Sequence, residues 1–261
     1  MISVVIRNKN QSKALEFLLS NLVNRYENQI GEIIVVDNLS TDNSKEVSGK
    51  YNARFETISN FSYGGSANFC AEKANHDIVV LFSAHSYPVS PDFFRSIKMA
   101  FENNTNLAGV RCLHSSNDYK NYIQNISAKQ DPNKSGLIFS GSAFRKSVWE
   151  KIKFNEDVPT FEDKDWTKRV LKAGYDIEFA PVVFSYSIHR NNKQLFFRFK
   201  NDLFGNYQIW HEEPKLSSAF KGTIVSIINA IKNMFVAIFY AFKRLLFTLK
   251  FKSNKPKKFE Y

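Results

Sequence analysis

IIVVDNLSTDNS, residues 33–44, sets four β-branched apolar side chains in a row and follows them with polar and turn-forming residues broken only by Leu39. So short an apolar run, bounded by Asp and Asn, reads as a buried strand that ends in a turn. Upstream, Ser3–Ile6 has the same character. Between the two, Leu15, Leu18, Leu19, Leu22 and Val23 recur at helical spacing over Ser12–Tyr26, which makes a β-α-β unit. The alternation continues with a helix over Thr41–Lys50, a strand near Phe55–Ser59, a helix at Ser66–Ala74 and a strand at Asp77–Phe82. A helix at Pro91–Asn103 and a strand at Leu107–Leu113 follow. Residues 115–135 are polar and weakly patterned and read as a loop over the site, Gly136–Phe144 as another strand, and Val182–Ile188 as strand-like. Strands alternating with helices predict an α/β fold with a mostly parallel, doubly wound sheet. Ligands of such sheets bind beyond the carboxyl ends of the strands, here the segments after Val36 and Phe82.

The chain has 261 residues, 43% of them apolar and 15% aromatic, ordinary for a globular enzyme. Its formal charge of +11 is unevenly distributed. From Lys215 onward there are ten Lys or Arg and one acid, Glu260, whereas residues 1–214 hold 26 basic and 24 acidic residues. The excess therefore belongs to the tail. Cys70 and Cys112 show no CxxC spacing and build neither a disulfide framework nor a thiolate metal site. The first residues, MISVVIRNKN, read directly as a strand, so the expected location is the cytoplasm.

IIVVDNLSTDNS resembles the first signature of the family 2 glycosyltransferases with the GT-A fold. It is joined in order by SVVIRNKN (3–10), FSYGGSANFCAEKA (61–74), SAHSYP (83–88), FSGSAFRKSVWEKIKF (139–154) and EDKDWTKRVLKAGY (162–175). The resemblance spans roughly residues 1–190. It implies an inverting transferase that moves a sugar from a nucleotide-sugar donor to a glycan or lipid-linked acceptor, with a nucleotide-binding half at about 1–113 and an acceptor half at about 136–190 within a catalytic domain of residues 1–214. Asp37 then resembles the carboxylate that accepts a hydrogen bond from the nucleotide base, with Arg7, Asn8 and Asn38 lining the same pocket and Gly65 and Asn68 near the donor. Asp37 also suits a turn cap, and Ser40 and Asp42 read as helix caps.

Ser83-Ala84-His85 stands where the family usually carries Asp-x-Asp for a divalent cation, Mn²⁺ or Mg²⁺. Imidazole binds transition ions, whereas Mg²⁺ prefers oxygen ligands. Three readings stand: His85 as a metal ligand, His85 as a direct donor to phosphate, or a site that needs no metal. His189 and Arg190 match a position that in some relatives reaches the metal or the diphosphate, and Arg190 can neutralise phosphate by itself. In the Glu162-Asp163-Lys164-Asp165 run the resemblance makes Asp163 the general base, with Glu162 as its neighbour; a like-charge neighbour raises a carboxyl pKa. By the same resemblance Ser140, Gly141 and Ser142 lie beneath the acceptor, and Trp166 suits either a stack on a sugar face or the core. His76, His114 and His211 match no motif.

From Ser218 to Phe251 the chain is apolar but for five cations, and Lys221, Lys232 and Lys243, eleven residues apart, share one helical stripe. No uncharged run reaches the ~18 residues of a membrane span. Residues 215–261 are therefore expected to form a basic amphipathic helical extension, one helix or two, lying in the bilayer interface on the inner face of the cell membrane, with Phe235, Phe239, Tyr240, Phe242 and Leu245–Phe247 buried in lipid. Cations interleaved with bulky apolar side chains do not make the solvated basic face that nucleic acid requires.

Overall fold

The computed structural model describes residues 1–186, 188 and 190–260. The strands are β1 (Ile2–Asn8), β2 (Glu32–Asp37), β3 (Arg54–Thr57), β4 (Ile78–Ser83), β5 (Ser86–Pro88), β6 (Leu107–Leu113), β7 (Ser142–Arg145) and β8 (Asp176–Tyr186). They form one sheet in the order β3-β2-β1-β4-β7-β6-β8-β5. The part of the sheet from β3 to β4 is parallel throughout, β1 pairing with β2 and β4, and β2 with β3. Beyond β4 the sheet is mixed, because β7 runs antiparallel to both β4 and β6 while β8 lies parallel to β6.

Strand alternation divides the core. Ile2, Val4 and Ile6 of β1 and Val80 and Phe82 of β4 face one side of the sheet. There they meet Leu15, Leu18, Leu19 and Leu22 of α1 (Ser12–Tyr26); Phe93, Phe94, Ile97 and Phe101, from the later helix Phe93–Asn103, join them. Val5, Val79 and Leu81 face the other side with Ile34 and Val36. A smaller helix, α2 (Ser44–Lys50), precedes α3 (Tyr63–Lys73), whose Ala67, Cys70 and Ala71 cover that second face; the Phe93–Asn103 helix is α4. Each large apolar side chain buried this way contributes roughly 1.5–3 kcal/mol. Both cysteines are buried and unpaired, and burial pushes the Cys70 thiol up to about 12.

Residues 115–135, expected as a loop, contain two short helices, α5 (Ser116–Ile123) and α6 (Pro132–Ser135). A capping box starts α5: Ser115 Oγ accepts from the Asp118 N–H, and the Asp118 carboxylate accepts from the Ser115 N–H. The strand expected over Gly136–Phe144 is confined to β7 and is followed by α7 (Lys146–Trp149). Residues before β7 spend their N–H groups elsewhere, Leu137 donating to Thr167 Oγ1 and Phe139 to Asp163 Oδ2, both on α8 (Glu162–Lys172). Two helices follow β8: α9 (Asn192–Gly205), opened by an Asn191–Gln194 capping box, and α10 (Leu216–Ser253).

The chain divides into two compact units, Met1–His211 and Glu212–Tyr261. The second is dominated by α10, a single helix of 38 residues with no buried side chain. By length and composition alone α10 is long and apolar enough to cross a membrane, its best window having a mean hydropathy of 1.7.

Gly141 fixes the turn into β7. Its φ is +84°, and a Cβ there would stand 2.6 Å from the Phe184 ring. Gly141→Ala is expected to cost roughly 2 kcal/mol through backbone strain and overpacking, read as a lowered midpoint in urea unfolding.

Candidate active site

The carboxyl ends of β1 and β4, the start of α8, the end of β8 and one face of α9 enclose a cavity of about 580 Å³. Among its lining residues are Arg7, Ser83, His85, His114, Ser140, Glu162, Asp163, Lys164, Tyr186 and Arg190. Seven of the residues singled out in the sequence, Arg7, Ser83, His85, Ser140, Glu162, Asp163 and Arg190, thus line one cavity although they come from five separate segments.

Arg7, at the end of β1, donates to Glu162 Oε1 at 3.3 Å and to Ser66 Oγ at 3.2 Å. Both partners of the ion pair are largely buried, with side chains 11% and 6% exposed. Burial, reinforced by the adjoining Asp163 charge and opposed by Arg7, pushes the Glu162 carboxyl up to about 7. The expected like-charge effect therefore falls on Glu162. Asp163 is held by backbone: Oδ2 accepts from Phe139 N–H at 2.8 Å and Oδ1 from Lys164 N–H at 2.7 Å. Each oxygen keeps a further lone pair. Lys164, almost buried, donates to the Asn133 carbonyl, and burial brings its ammonium down to about 8. Phe161, just ahead of this pair, adopts φ +67°, and its ring lies where a Cβ on Gly205 of α9 would fall. The helix start is thereby clamped from both sides.

His85 and Arg190 line the same cavity. His85 Nδ1 lies 2.9 Å from Gln11 Oε1, and its Nε2 is buried with no protein partner. Desolvation, with Arg190 and Arg7 adding to it, lowers the imidazole pKa. Arg190 donates to the Tyr186 hydroxyl at 3.1 Å. The Ser83 N–H donates to Ser140 Oγ and Ser86 Oγ, which fixes the turn that carries His85. No group of three His, Cys, Asp or Glu fit to hold a metal occurs among the described residues. One imidazole beside hydroxyls and two guanidinium groups does not fit Mg²⁺ or Mn²⁺, which take carboxylate oxygens. His189 lies outside the described residues.

Several expected residues have other work. Trp166 is wholly buried among Phe144 and Phe154, and its Nε1 donates to the Ile152 carbonyl, so it has no face for a sugar. Asn68 spends its amide on Phe154, Glu156 and Trp149, pinning the segment after α7, and Gly65 sits in the first turn of α3, which Ser62 caps. Ala84 and Ser142 are buried in the sheet region. Asp37 is 2% exposed: Oδ1 accepts from Asn8 Nδ2 and Ser40 Oγ, and Oδ2 from the Ser40 N–H, leaving one lone pair on Oδ2. Asn38 stands half-buried beside it.

His114 carries no motif, yet it lines the cavity, stacks on Phe184 at 5.0 Å, and has Nδ1 2.5 Å from Asp118 Oδ2. Asp118 also receives Arg111, which holds its carboxyl well below the usual carboxylate range. The one sequence signal for this arrangement was the Ser-x-x-Asp cap that fixes Asp118. A larger cavity, about 720 Å³, is lined by Lys129, Lys168, Lys172 and His211, but its Asp165 pairs with Arg169 and it contains none of the motif residues proposed for chemistry.

A sheet of this order with a polar cavity at its strand ends defines the GT-A fold. Solved structures agree: a mannosyltransferase from Pyrobaculum calidifontis in complex with GDP-Man and Mn²⁺ superposes with a TM-score of 0.64 at 18% identity, covering 82% of this chain and 65% of the other. Glucosyl-3-phosphoglycerate synthase from Mycobacterium tuberculosis, in complex with Mn²⁺, UDP and glucosyl-3-phosphoglycerate, gives 0.58 at 15%, covering 83% and 81%. The family model for glycosyl transferase family 2 matches residues 3–173, and the chain belongs to that family. A curated relative, the O-antigen chain rhamnosyltransferase WbaN of Salmonella anatum, is 28% identical over 174 residues, 59% of this chain and 55% of that protein. The chain thus spans about half the length of that relative.

Glu162 yields a stability prediction with a definite sign. A carboxyl raised from its ordinary value to about 7 on folding costs stability as pH climbs from the unfolded value towards 7, and the full cost is present above it. Glu162→Gln should therefore compare more favourably with wild type at pH 8 than at pH 5 in thermal melts. An increment that is equal at the two pH values, or larger at pH 5, would contradict the assignment.

Proposed function

We propose that this chain is an inverting glycosyltransferase that passes a sugar from a nucleotide-sugar to a hydroxyl of a surface polysaccharide or lipid-linked glycan, with Asp163 as general base. The observation that carries this reading is the meeting in one cavity of Asp163, whose carboxylate oxygens each keep a lone pair, with Arg7, His85 and Arg190. A transfer with inversion needs a base on one face of the sugar and an anion-stabilising group on the opposite face. In the step proposed, Asp163 takes the acceptor hydroxyl proton as that oxygen attacks the anomeric carbon. The bond from that carbon to the diphosphate breaks, and the leaving oxygen keeps the electron pair beside Arg7, His85 and Arg190.

Arg7 binds Glu162 while lining the cavity and so ties the start of α8 to the phosphate side of the site. The spare lone pair on Asp37 Oδ2 suits a base N–H, which supports the nucleoside end lying against Asp37 and Asn38. Ser140 and Gly141 form the floor on the acceptor side. The relative's role in O-antigen chains supports a surface-glycan acceptor, and the membrane reading of the tail supports one that is met at the inner face of the membrane.

Asp163→Asn should lower transfer by roughly 10²–10⁴-fold while nucleotide affinity is kept, measured as radiolabelled sugar incorporation alongside nucleotide titration. Full turnover by that variant would remove Asp163 from the base role. For the tail, the full chain should float with vesicles containing anionic lipid, and a chain ended at Pro214 should stay at the bottom of the gradient. Equal flotation of both would place membrane contact elsewhere.

A further inference from the structure

We infer that the donor's diphosphate is held in this cavity by Arg7, His85 and Arg190 with no divalent cation, an inference that rests on the nucleotide-sugar reading above. Four observations converge on it.

The turn after β4 carries no carboxylate. Ser83 and His85 occupy the slots where a cation site would place its oxygen ligands, and the Ser83 N–H is committed to Ser140 and Ser86. His85 Nδ1 faces the side-chain amide of Gln11, and with that amide turned to donate from its nitrogen the ring proton sits on Nε2, which is then a donor for a phosphate oxygen. Nε2 is buried without a protein partner, and a buried polar atom of this kind is normally completed by a ligand. Arg190 meets a neutral phenol, Tyr186, and has no carboxylate partner among the described residues, so its charge is uncompensated. Arg7 is only part-compensated, because burial pushes the carboxyl it faces up to about 7, so the pair is not fully charged near neutral pH.

Two guanidinium groups around one imidazole make a field that attracts a polyanion and repels a dication. Guanidinium also matches phosphate oxygens in a bidentate way that an ammonium does not. A cation bridging the diphosphate would have to displace this field and find oxygen ligands that the turn does not provide. The two structural neighbours described above carry Mn²⁺, so the inference separates this chain from them on the chemistry of its own residues.

The test is calorimetric titration of the full chain with UDP, GDP and dTDP, first in EDTA and then with Mn²⁺ or Mg²⁺ present. At least one nucleotide should bind in EDTA with a dissociation constant within about twofold of its value with either cation. Arg190→Ala should weaken that binding by about tenfold or more in EDTA and Arg190→Lys by less, with thermal melts confirming that both variants fold. Manganese resonance spectra supply a second readout: adding the protein should remove no more free Mn²⁺ than the nucleotide does by itself. Binding that tightens by about tenfold or more with a cation and disappears in EDTA would overturn this inference and leave the nucleotide-sugar reading standing. Failure of all three nucleotides to bind in either condition would overturn both.

Discussion

The ion pair between Arg7 and Glu162 joins the end of the first strand to the start of α8 across 155 positions of sequence. Burying two charges is costly unless both are well bonded. Here Arg7 also reaches Ser66 on α3 and lies about 6 Å from the Tyr63 and Phe139 rings, while Glu162 opens a helix whose dipole favours acids. The pair therefore draws α3, α8 and the segment before β7 to one point. Asp163 is positioned as a consequence, since its Oδ2 is held by the N–H of Phe139 in that same segment.

Around this point the fold does what a parallel α/β sheet permits. Strand ends leave polar turns facing one edge, and the chain has filled them with charges of both signs that line a single cavity. The antiparallel β7 matters because it lets Gly141 turn sharply under Ser140, so that one hydroxyl supports the His85 turn while the neighbouring backbone supports Asp163. Acid and cation are thus preorganised through shared backbone, which is how such an arrangement holds its geometry while charge moves during a reaction.

Where one residue's pattern answered to one constraint, the sequence was readable. The β-branched run marks β2 because it is buried on both faces of the sheet, and the leucine spacing marks α1 over Ser12–Tyr26 because one face of that helix is buried. Arg7, Ser83, His85, Glu162, Asp163 and Arg190 were found through motifs that place them at strand or helix ends. Trp166 was misplaced because an indole at helical spacing serves core and ligand alike, and only the ring contacts with Phe144 and Phe154 separate the two. Asn68 was given to the donor for the same lack of three-dimensional information, its amide being used up by a segment more than eighty residues away. His114 escaped notice since its place depends on Asp118 and Phe184, neither of which is near a motif. The start of α8 shows a subtler limit: the sequence revealed two adjacent acids, but the raised pKa of Glu162 depends first on its burial, which only the packing of α8 discloses.

The central claim is that donor and base meet in the cavity between β1, β4 and α8. A structure of the chain with a bound nucleotide-sugar tests it most directly. The account requires the diphosphate against Arg7, His85 and Arg190, with the anomeric carbon on the side facing Asp163. A nucleotide seated instead in the larger cavity beside Lys168 and Lys172, or one whose sugar points away from α8, would contradict it.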